Sequence, residues 1–531
     1  MGAPEGANSI ISLNRIDSTG RQAISAGGDG VVIKNNVINY PCLNYNDCGG
    51  IMPRGNSAVD GNIIKNSYGY FPYFYDAMYS GGNGARGIYP DFQTGDVITN
   101  NTIVNTVLGI GLTNSKNEII KNNTVYNSFV SMRMNRKDAG QLSNTITNNT
   151  FFGLHHKQFA VLWDNMVSDI DSNSILDSNR YWNPYSFYPL IKYRPDVNTA
   201  EGWYDIGQWQ QAMTKDLNSK KEYIFKNQPY IITDTTGNSL VQNGLFNSGI
   251  SGWTTGNNTN ISVVGGQLDG PCLSVTYNGT TGKGSLFQHN IQTSPASFYL
   301  ISFSLKGTQN IDGKPLEVTL RKTGGSTVYF YRAFKIQATR NEYWSIFKSS
   351  TNSLTLQFNA PSGTYYIDNV SILQVSVSWI DPESVFPIFI NETSSPAMIN
   401  LPSGTYLDLD SNLVGPSIIL PPFSSMILVR IDSLTTGVNE SASSQKFMLW
   451  QNYPNPFNPS TTIRFSLPQH EHVTLKVFDV LGREVATLLE GERDAGEHEV
   501  VFEATELPCG IYFAQLQSHL SSQQIKMMLM R

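Results

Sequence analysis

The sequence predicts an all-β chain that opens with a right-handed parallel β-helix. Three observations carry this. Charged residues make up only 15% of the 531, below the roughly 25% of an average globular chain. Gly (45), Tyr (26) and Phe (26) are abundant, and Asn recurs in pairs at 35–36, 100–101, 122–123 and 148–149. Gly and Asn tolerate positive φ at turns, and aromatic residues suit strands. A strand-and-Asn pattern also recurs at a near-regular interval through the first third, the mark of a repeat architecture. The net charge of −6, with no basic stripe, argues against a nucleic-acid binder. No apolar run reaches the roughly 18 residues of a membrane span, so no transmembrane segment is expected. At roughly 100–200 residues per domain, three or four domains are expected.

The repeat places Asn at 14, 36, 62, 101, 123, 149 and 173, in steps of 22, 26, 39, 22, 26 and 24. Alternating apolar residues flank most of them, as in Val31–Ile38 and Glu118–Val125. A second strand signal precedes most of them, as at Gly49-Gly50-Ile51, Gly87-Ile88-Tyr89 and Gly109–Leu112. The long step holds an insertion, residues 68–86, rich in Tyr, Phe and Gly. Short strands with Asn at one turn of each coil predict apolar residues stacked inward and Asn stacked on Asn, each amide pairing with the coils on either side. A leucine-rich repeat has a similar period but needs Leu at fixed offsets, which are absent. Residues 1–6 carry neither a basic n-region nor an apolar h-region. The first coil begins almost at once, and a bare end coil would expose a sheet edge. We therefore expect residue 1 to lie inside the β-helix, with further coils and a signal peptide upstream.

After the coils come Asn179–Pro184 and Gly202–Gln211, with one short helix expected over 206–214 from Trp209 and Met213 at i, i+4. This stretch resembles the trailing segment of bacterial β-helix proteins of the pectin-lyase-like superfamily, which packs along the coils. The first domain is set at residues 1–236.

Residues 237–376 change character. They open on Leu240–Asn247 and Gly252-Trp253 and close on Gly363–Ile372. Both ends resemble carbohydrate-binding modules of the family 4/9/22 type, which implies a jelly-roll β-sandwich and sugar binding. The family's opening motif has Glu where this chain has Asn247, a departure that bears on a structural calcium. Asp368 matches the closing motif and is either a calcium ligand beside backbone carbonyls or a strand-end hydrogen bonder. Sugar binding in such modules rests on aromatic faces, for which Tyr277, Tyr329, Tyr331 and Trp344 are the candidates; Trp253 reads as core. Residues 377–432 form a small β domain with a packing role, and 433–446 are a Ser-rich linker.

The tail, 447–531, holds Asn452–Phe465 with its Pro-rich entry, Val473–Val485 with a Leu-Gly-Arg turn, Gly510–Phe513, and a Lys526–Arg531 end. It resembles the type IX secretion C-terminal sorting domain. The resemblance implies an Ig-like sandwich, the outer-membrane type IX machinery as a partner, and a secreted or outer-membrane cell-surface location. The expected architecture is thus a right-handed parallel β-helix followed by a jelly-roll β-sandwich, a small β domain and a C-terminal Ig-like sandwich. With four Cys, this is no disulfide scaffold. Cys42 and Cys48 are either bridged or two free thiols, and Cys272 and Cys509 are expected unpaired.

Chemistry in β-helix enzymes sits in a groove outside one sheet. Lyases use Lys or Arg as base, with calcium or Arg neutralising the uronate; hydrolases use two carboxylates. Equivalent positions give a polar column of Pro53-Arg54, Pro90-Asp91, Thr113-Asn114, Asn135-Arg136 and Asp164-Asn165, beside Asp47. Asp47 and Asp91 are the candidate acid/base or calcium pair. Arg133, Arg136 and Lys137 form a basic cluster suited to an acidic sugar, and His155 and His156 a proton-transfer site. Arg54, Arg86 and Asn114 are candidate substrate contacts, with Tyr73, Tyr75 and Tyr79 of the insertion as an aromatic wall. Two functions fit: a polysaccharide-active enzyme, lyase or glycoside hydrolase, or a non-catalytic surface glycan-binding protein or adhesin.

Overall fold

The computed structural model describes residues 8–529 apart from 70–83, 137–142, 166–173, 186–189, 196–201, 222–228, 257, 269, 280–281, 310, 326, 432–447, 450–451, 453–456, 468–470, 480–482, 495, 506, 509 and 519–521. Residues 1–430 pack as one unit and 431–531 as a second.

The first unit opens with the expected β-helix, and its strands explain the repeat. Each coil contributes one short strand to each of three parallel walls. The first wall runs from Ile10–Ser12 to Ile175–Asp177 in seven strands, and the second from Arg15–Asp17 to Lys220–Lys221 in eight. The third holds Ile24–Gly27, Gly49–Arg54, Arg86–Ile88, Leu108–Thr113, Val130–Arg136, Phe159–Asn165 and Ile191–Arg194. In the three-residue strands the middle side chain faces in, because successive side chains alternate across a strand. Ile33, Val59, Ile98, Ile120 and Ile146 therefore stack in register, each at most 1% exposed.

Between the first two walls runs the Asn ladder. Each Asn Oδ1 accepts the backbone N–H and the side-chain Nδ2 of the Asn one coil earlier, at 2.9–3.1 Å. The sequence pairs follow from this turn. Its first residue takes a left-handed φ of 56–62°, at Leu13, Asn35, Gly61, Asn100, Asn122, Asn148 and Ser178, and Asn adopts that region more readily than most residues. The ladder members are Asn14, Asn36, Asn62, Asn101, Asn123, Asn149 and Asn179. The expected last member, Asn173, lies outside the described residues, and the final step is 30 residues rather than 24.

Five residues ahead of the ladder runs a second buried polar column. The Ser57 N–H donates to Asp96 Oδ1 (2.8 Å), the Glu118 N–H to Asn144 Oδ1 (2.9 Å) and the Asn144 N–H to Ser174 Oγ (2.9 Å).

The helix spans Ile206–Met213, with Asp205 and Gln208 forming a capping box and Thr214 closing it in the left-handed region. It does not run along the coils as the resemblance implied. It plugs their end. Trp209, 1% exposed, stacks near Trp163, Tyr193 and Tyr204, and its Nε1 donates to Asp216 Oδ2 (2.9 Å). Asp216 Oδ1 also takes the last ladder amide, Asn179 Nδ2, at 3.2 Å, so the helix segment satisfies the polar column that it caps.

The β-sandwich has two antiparallel sheets around a core that includes Trp253, Phe303, Phe334, Phe358 and Tyr365. Tyr230–Thr236, on the β-helix side of the boundary set from sequence, pairs with the sandwich's last strand, Gly363–Trp379. One sheet joins the third wall: Gly202–Tyr204 pairs with Ile191–Arg194 on one side and meets Ile311–Lys322 through Trp203 and Gly313 on the other. Lys335 and Asp205 form an ion pair beside it.

The small β domain covers the second wall. Phe423 and Ile390 pack on Val37 and Ile63. Glu392 pairs with Arg15 and Lys65, Arg180 with Asp410, and Tyr126 Oη donates to the Phe386 carbonyl (2.6 Å). Cys42 and Cys48 form a disulfide, and Cys272 is a buried thiol. Cys509 and the linker 433–446 lie outside the described residues.

The second unit is a sandwich of a three-stranded and a four-stranded antiparallel sheet, closed over Phe457, Phe465, Val473, Leu475, Val477, Tyr512 and Leu516.

Candidate functional site

The outer side of the third wall gathers most of the polar residues singled out from sequence. The Cys42–Cys48 bridge closes a short loop ahead of Gly49–Arg54, and this loop carries Asp47. Asp47 Oδ1 accepts from Arg86 Nη1 (3.1 Å) and from the Tyr89 hydroxyl (3.1 Å). The Arg86 guanidinium also lies over the Tyr89 ring, 4.0 Å from its centroid. Burial pushes the Tyr89 phenol up to about 12, against the pull of Arg86. Arg86 is 9% exposed, and its Nε has no hydrogen-bond partner.

Next along the wall, Gly111 pairs in register with Arg133. A Cβ at Gly111 would stand 2.9 Å from Arg86 Cγ, so the glycine leaves room for the arginine. Arg133 is pushed below its usual range by burial, and Arg86 adds a like charge. Arg133 Nη2 lies 3.8 Å from Asp164 Oδ2, and Arg194 Nε donates to Asp164 Oδ1 at 2.7 Å. The face therefore carries two arginines near each other, with one carboxylate group at each flank.

The register corrects the expected column by one residue. Asp91 bridges to Thr113, Thr113 pairs with Asn135, Asn135 with Asp164 and Asp164 with Arg194. Asn114 and Arg136 fall one step beyond. Asn114 occupies a left-handed turn with φ 49°, and Arg136 ends its strand. Tyr89 and Arg194 were missed from sequence. Tyr89 was visible as the residue after the Gly-Ile strand; Arg194 belongs to the last coil, whose spacing is irregular. Arg54 donates from Nε to Ser25 Oγ (3.0 Å) at the start of the wall. Lys137, Tyr73, Tyr75 and Tyr79 lie outside the described residues.

His155 and His156 are not on this face. They adjoin a cavity of about 520 Å³ whose lining also includes Tyr329, Tyr331 and Arg332 of the sandwich. Their rings are 4.2 Å apart. Burial first, then neighbouring cations, takes His155 down to about 3 and His156 well below its usual range. Both imidazoles are therefore neutral at neutral pH.

Of the four aromatic sugar-stacking candidates, Tyr277 is only 5% exposed, so burial removes it as a surface platform. Its ring packs under Gly279 and Gly284. Tyr331 is tied to Glu317 by its hydroxyl (2.8 Å). Trp344 is half-buried on Asn341–Lys348. Asp368 is 1% exposed, and its Oδ1 accepts the Asn369 N–H (2.8 Å). Among the described residues no group of three or more His, Cys, Asp or Glu could hold a metal. The side chains around Asp368 thus do not by themselves make a calcium shell.

No curated protein matches the chain. Among solved structures, the enzymatically active domain of bacteriophage CBA120 tailspike protein 4 is 13% identical, covering 68% of this chain and 60% of that one, with a TM-score of 0.24. A structure titled "CBM4 structure and function" is 16% identical over 25% of this chain and 98% of that one, with a TM-score of 0.22. The CBM22-1 xylan-binding domain of Paenibacillus barcinonensis Xyn10C is 17% identical over 27% and 97%, with a TM-score of 0.21. At these scores the architecture rests on the walls, ladders and sheets described above. Among the described residues no helix is long and apolar enough to cross a membrane. Residues 451–530 match the family described as the secretion system C-terminal sorting domain, so the chain ends in a type IX secretion address that directs it to secretion or the cell surface.

Proposed function

We propose that this is a secreted or surface-held polysaccharide-active enzyme that takes an acidic glycan along the outer side of the third wall. The observation that supports this reading best is the arginine pair, Arg86 and Arg133, held largely buried on either side of Gly111. Asp47 and Asp164 offset these charges from the flanks, and a glycan carboxylate between the two arginines would add charge-assisted hydrogen bonds to both. Asp47, Asp91 and Tyr89 are then the groups available for proton transfer. A β-elimination at a uronate fits the arginines better than hydrolysis does, since its transition state gathers negative charge at the carboxylate.

The test is incubation of the chain with acidic and neutral polysaccharides, following the ultraviolet absorbance of unsaturated uronate and the release of reducing ends. Arg133→Ala should lower kcat/KM on the acidic substrate roughly 10–100-fold, the value of one charge-assisted contact. Asp47→Asn and Asp91→Asn should lose turnover while keeping the thermal midpoint; undiminished turnover would remove both from the mechanism. Binding without release on any glycan would favour the adhesin reading.

We also propose that calcium binds at Asp368, with backbone carbonyls supplying the other oxygens. Its ligation would be structural, so a chelator should lower the thermal midpoint of the sandwich. An unchanged midpoint rejects the site.

A further inference from the structure

We propose that the cavity between the β-helix and the sandwich is a separate site for one carboxylated sugar residue. Its volume, about 520 Å³, lies in the range of small-molecule sites. It is built by elements distant in sequence. The turn Leu154–Lys157 forms one side, the sandwich strands Val328–Ile336 and Asn341–Lys348 another, and the strand ends at Tyr230 and Trp379 the rim.

Its chemistry is lopsided. Lys157, Arg332 and Lys348 all line it, and no carboxylate does among the described lining residues. Arg332, 5% exposed, is lowered by burial to about 9, so it stays protonated at neutral pH. An anion is the natural counterpart. The walls decide what kind. Tyr329, Tyr331 and Trp379 present ring surfaces, and Glu317 anchors Tyr331 by its hydroxyl. Aromatic faces suit the apolar side of a sugar ring, which a bare inorganic anion lacks.

The histidines complete the match. Burial keeps both neutral. His155 Nδ1 accepts the Lys157 N–H at 3.3 Å, which leaves its proton on Nε2. A neutral imidazole donates to a hydroxyl without adding charge. Cations for a carboxylate, neutral donors for hydroxyls and rings for the pyranose face meet in one cavity. The site stands independently of the third-wall face, which lies on other residues.

Histidine-selective NMR of the full chain, titrated with D-galacturonate, tests this directly. D-galacturonate should shift the His155 and His156 resonances, whereas D-galactose and inorganic phosphate should not. The Lys157→Ala/Lys348→Ala double variant should weaken the titration roughly tenfold or more. Arg133→Ala, on the third wall, should leave it unchanged, which separates failure here from failure of the proposed enzyme function. No shift with D-galacturonate overturns the site. Phosphate acting as well as D-galacturonate would reduce it to an anion site, and galactose acting as well would remove the carboxylate; either result overturns the proposal.

Discussion

Asn101→Ala should cost the first unit about 3–5 kcal/mol, measured as a fall in the denaturant midpoint at unchanged slope. Asn101 is fully buried in the middle of the ladder. Its Oδ1 accepts two donors from Asn62, at 2.9 and 3.0 Å, and its Nδ2 donates to the Val59 carbonyl and to Asn123 Oδ1, both at 2.9 Å. Truncation removes the acceptor of the Asn62 N–H and the amide donor to the Val59 carbonyl, while the Asn62 amide keeps the Ile33 and Asp60 carbonyls and Asn123 Oδ1 keeps the Asn101 N–H. Each buried group so stranded costs roughly 1–3 kcal/mol, partly recovered by relaxation or an entering water. Asn14→Ala is the control: it sits half-buried on the ladder's first rung and only donates along it, so its loss should be under about 1 kcal/mol. Equal losses at both positions would mean that the ladder does not stabilise the coils through its buried amides.

The same ladder shows what the sequence made legible. Six of its seven Asn were readable, because an Asn that must sit at a fixed turn and face inward leaves a residue-type signature at a near-constant step. The seventh was not. The coil before Asn179 is longer, and Asn173 falls where a regular step would put it. The third wall was readable as a polar column, but its register was one residue out past Asp91. Registers between neighbouring strands are set by packing in three dimensions, and a one-residue slip changes which side chains share a row. Arg194 escaped because the last coil is irregularly spaced, so no regular step leads to it. The cavity holding His155 and His156 with Tyr329 and Tyr331 could not be read at all. It joins turns and strands about 175 residues apart, and nothing local marks which faces two domains will share. Tyr277 shows the converse: an aromatic residue at a strand end reads the same whether it faces sugar or core.

Glu118→Gln should stabilise the protein at pH 8 by about 3 kcal/mol and leave it nearly unchanged at pH 4. Glu118 is fully buried in the second polar column, where a hydrogen bond with the Asp96 backbone offsets only part of the cost of burying its carboxyl group. Burial, with Asp96 adding a like charge, raises it from 4.5 to about 9; burial likewise raises Asp96 to about 6. Below the unfolded value both states hold the proton and there is no penalty. As pH rises from about 4.5, the unfolded chain releases the proton while the folded chain keeps it, so stability falls by about 1.4 kcal/mol per unit until the folded value is reached. By pH 8 that sum exceeds about 3 kcal/mol even after allowance for relaxation around the charge. An amide carries no such proton and places no like charge beside Asp96. His155 works in the opposite direction. Its folded value of about 3 lies below the unfolded 6.5, so its contribution is lost as pH falls through that window. The difference between parent and variant therefore isolates Glu118: it should grow from pH 4.5 upward in thermal or urea unfolding. Parallel curves for parent and variant across that range would show that Glu118 is ionised in the folded chain, and that the column is solvated rather than dry.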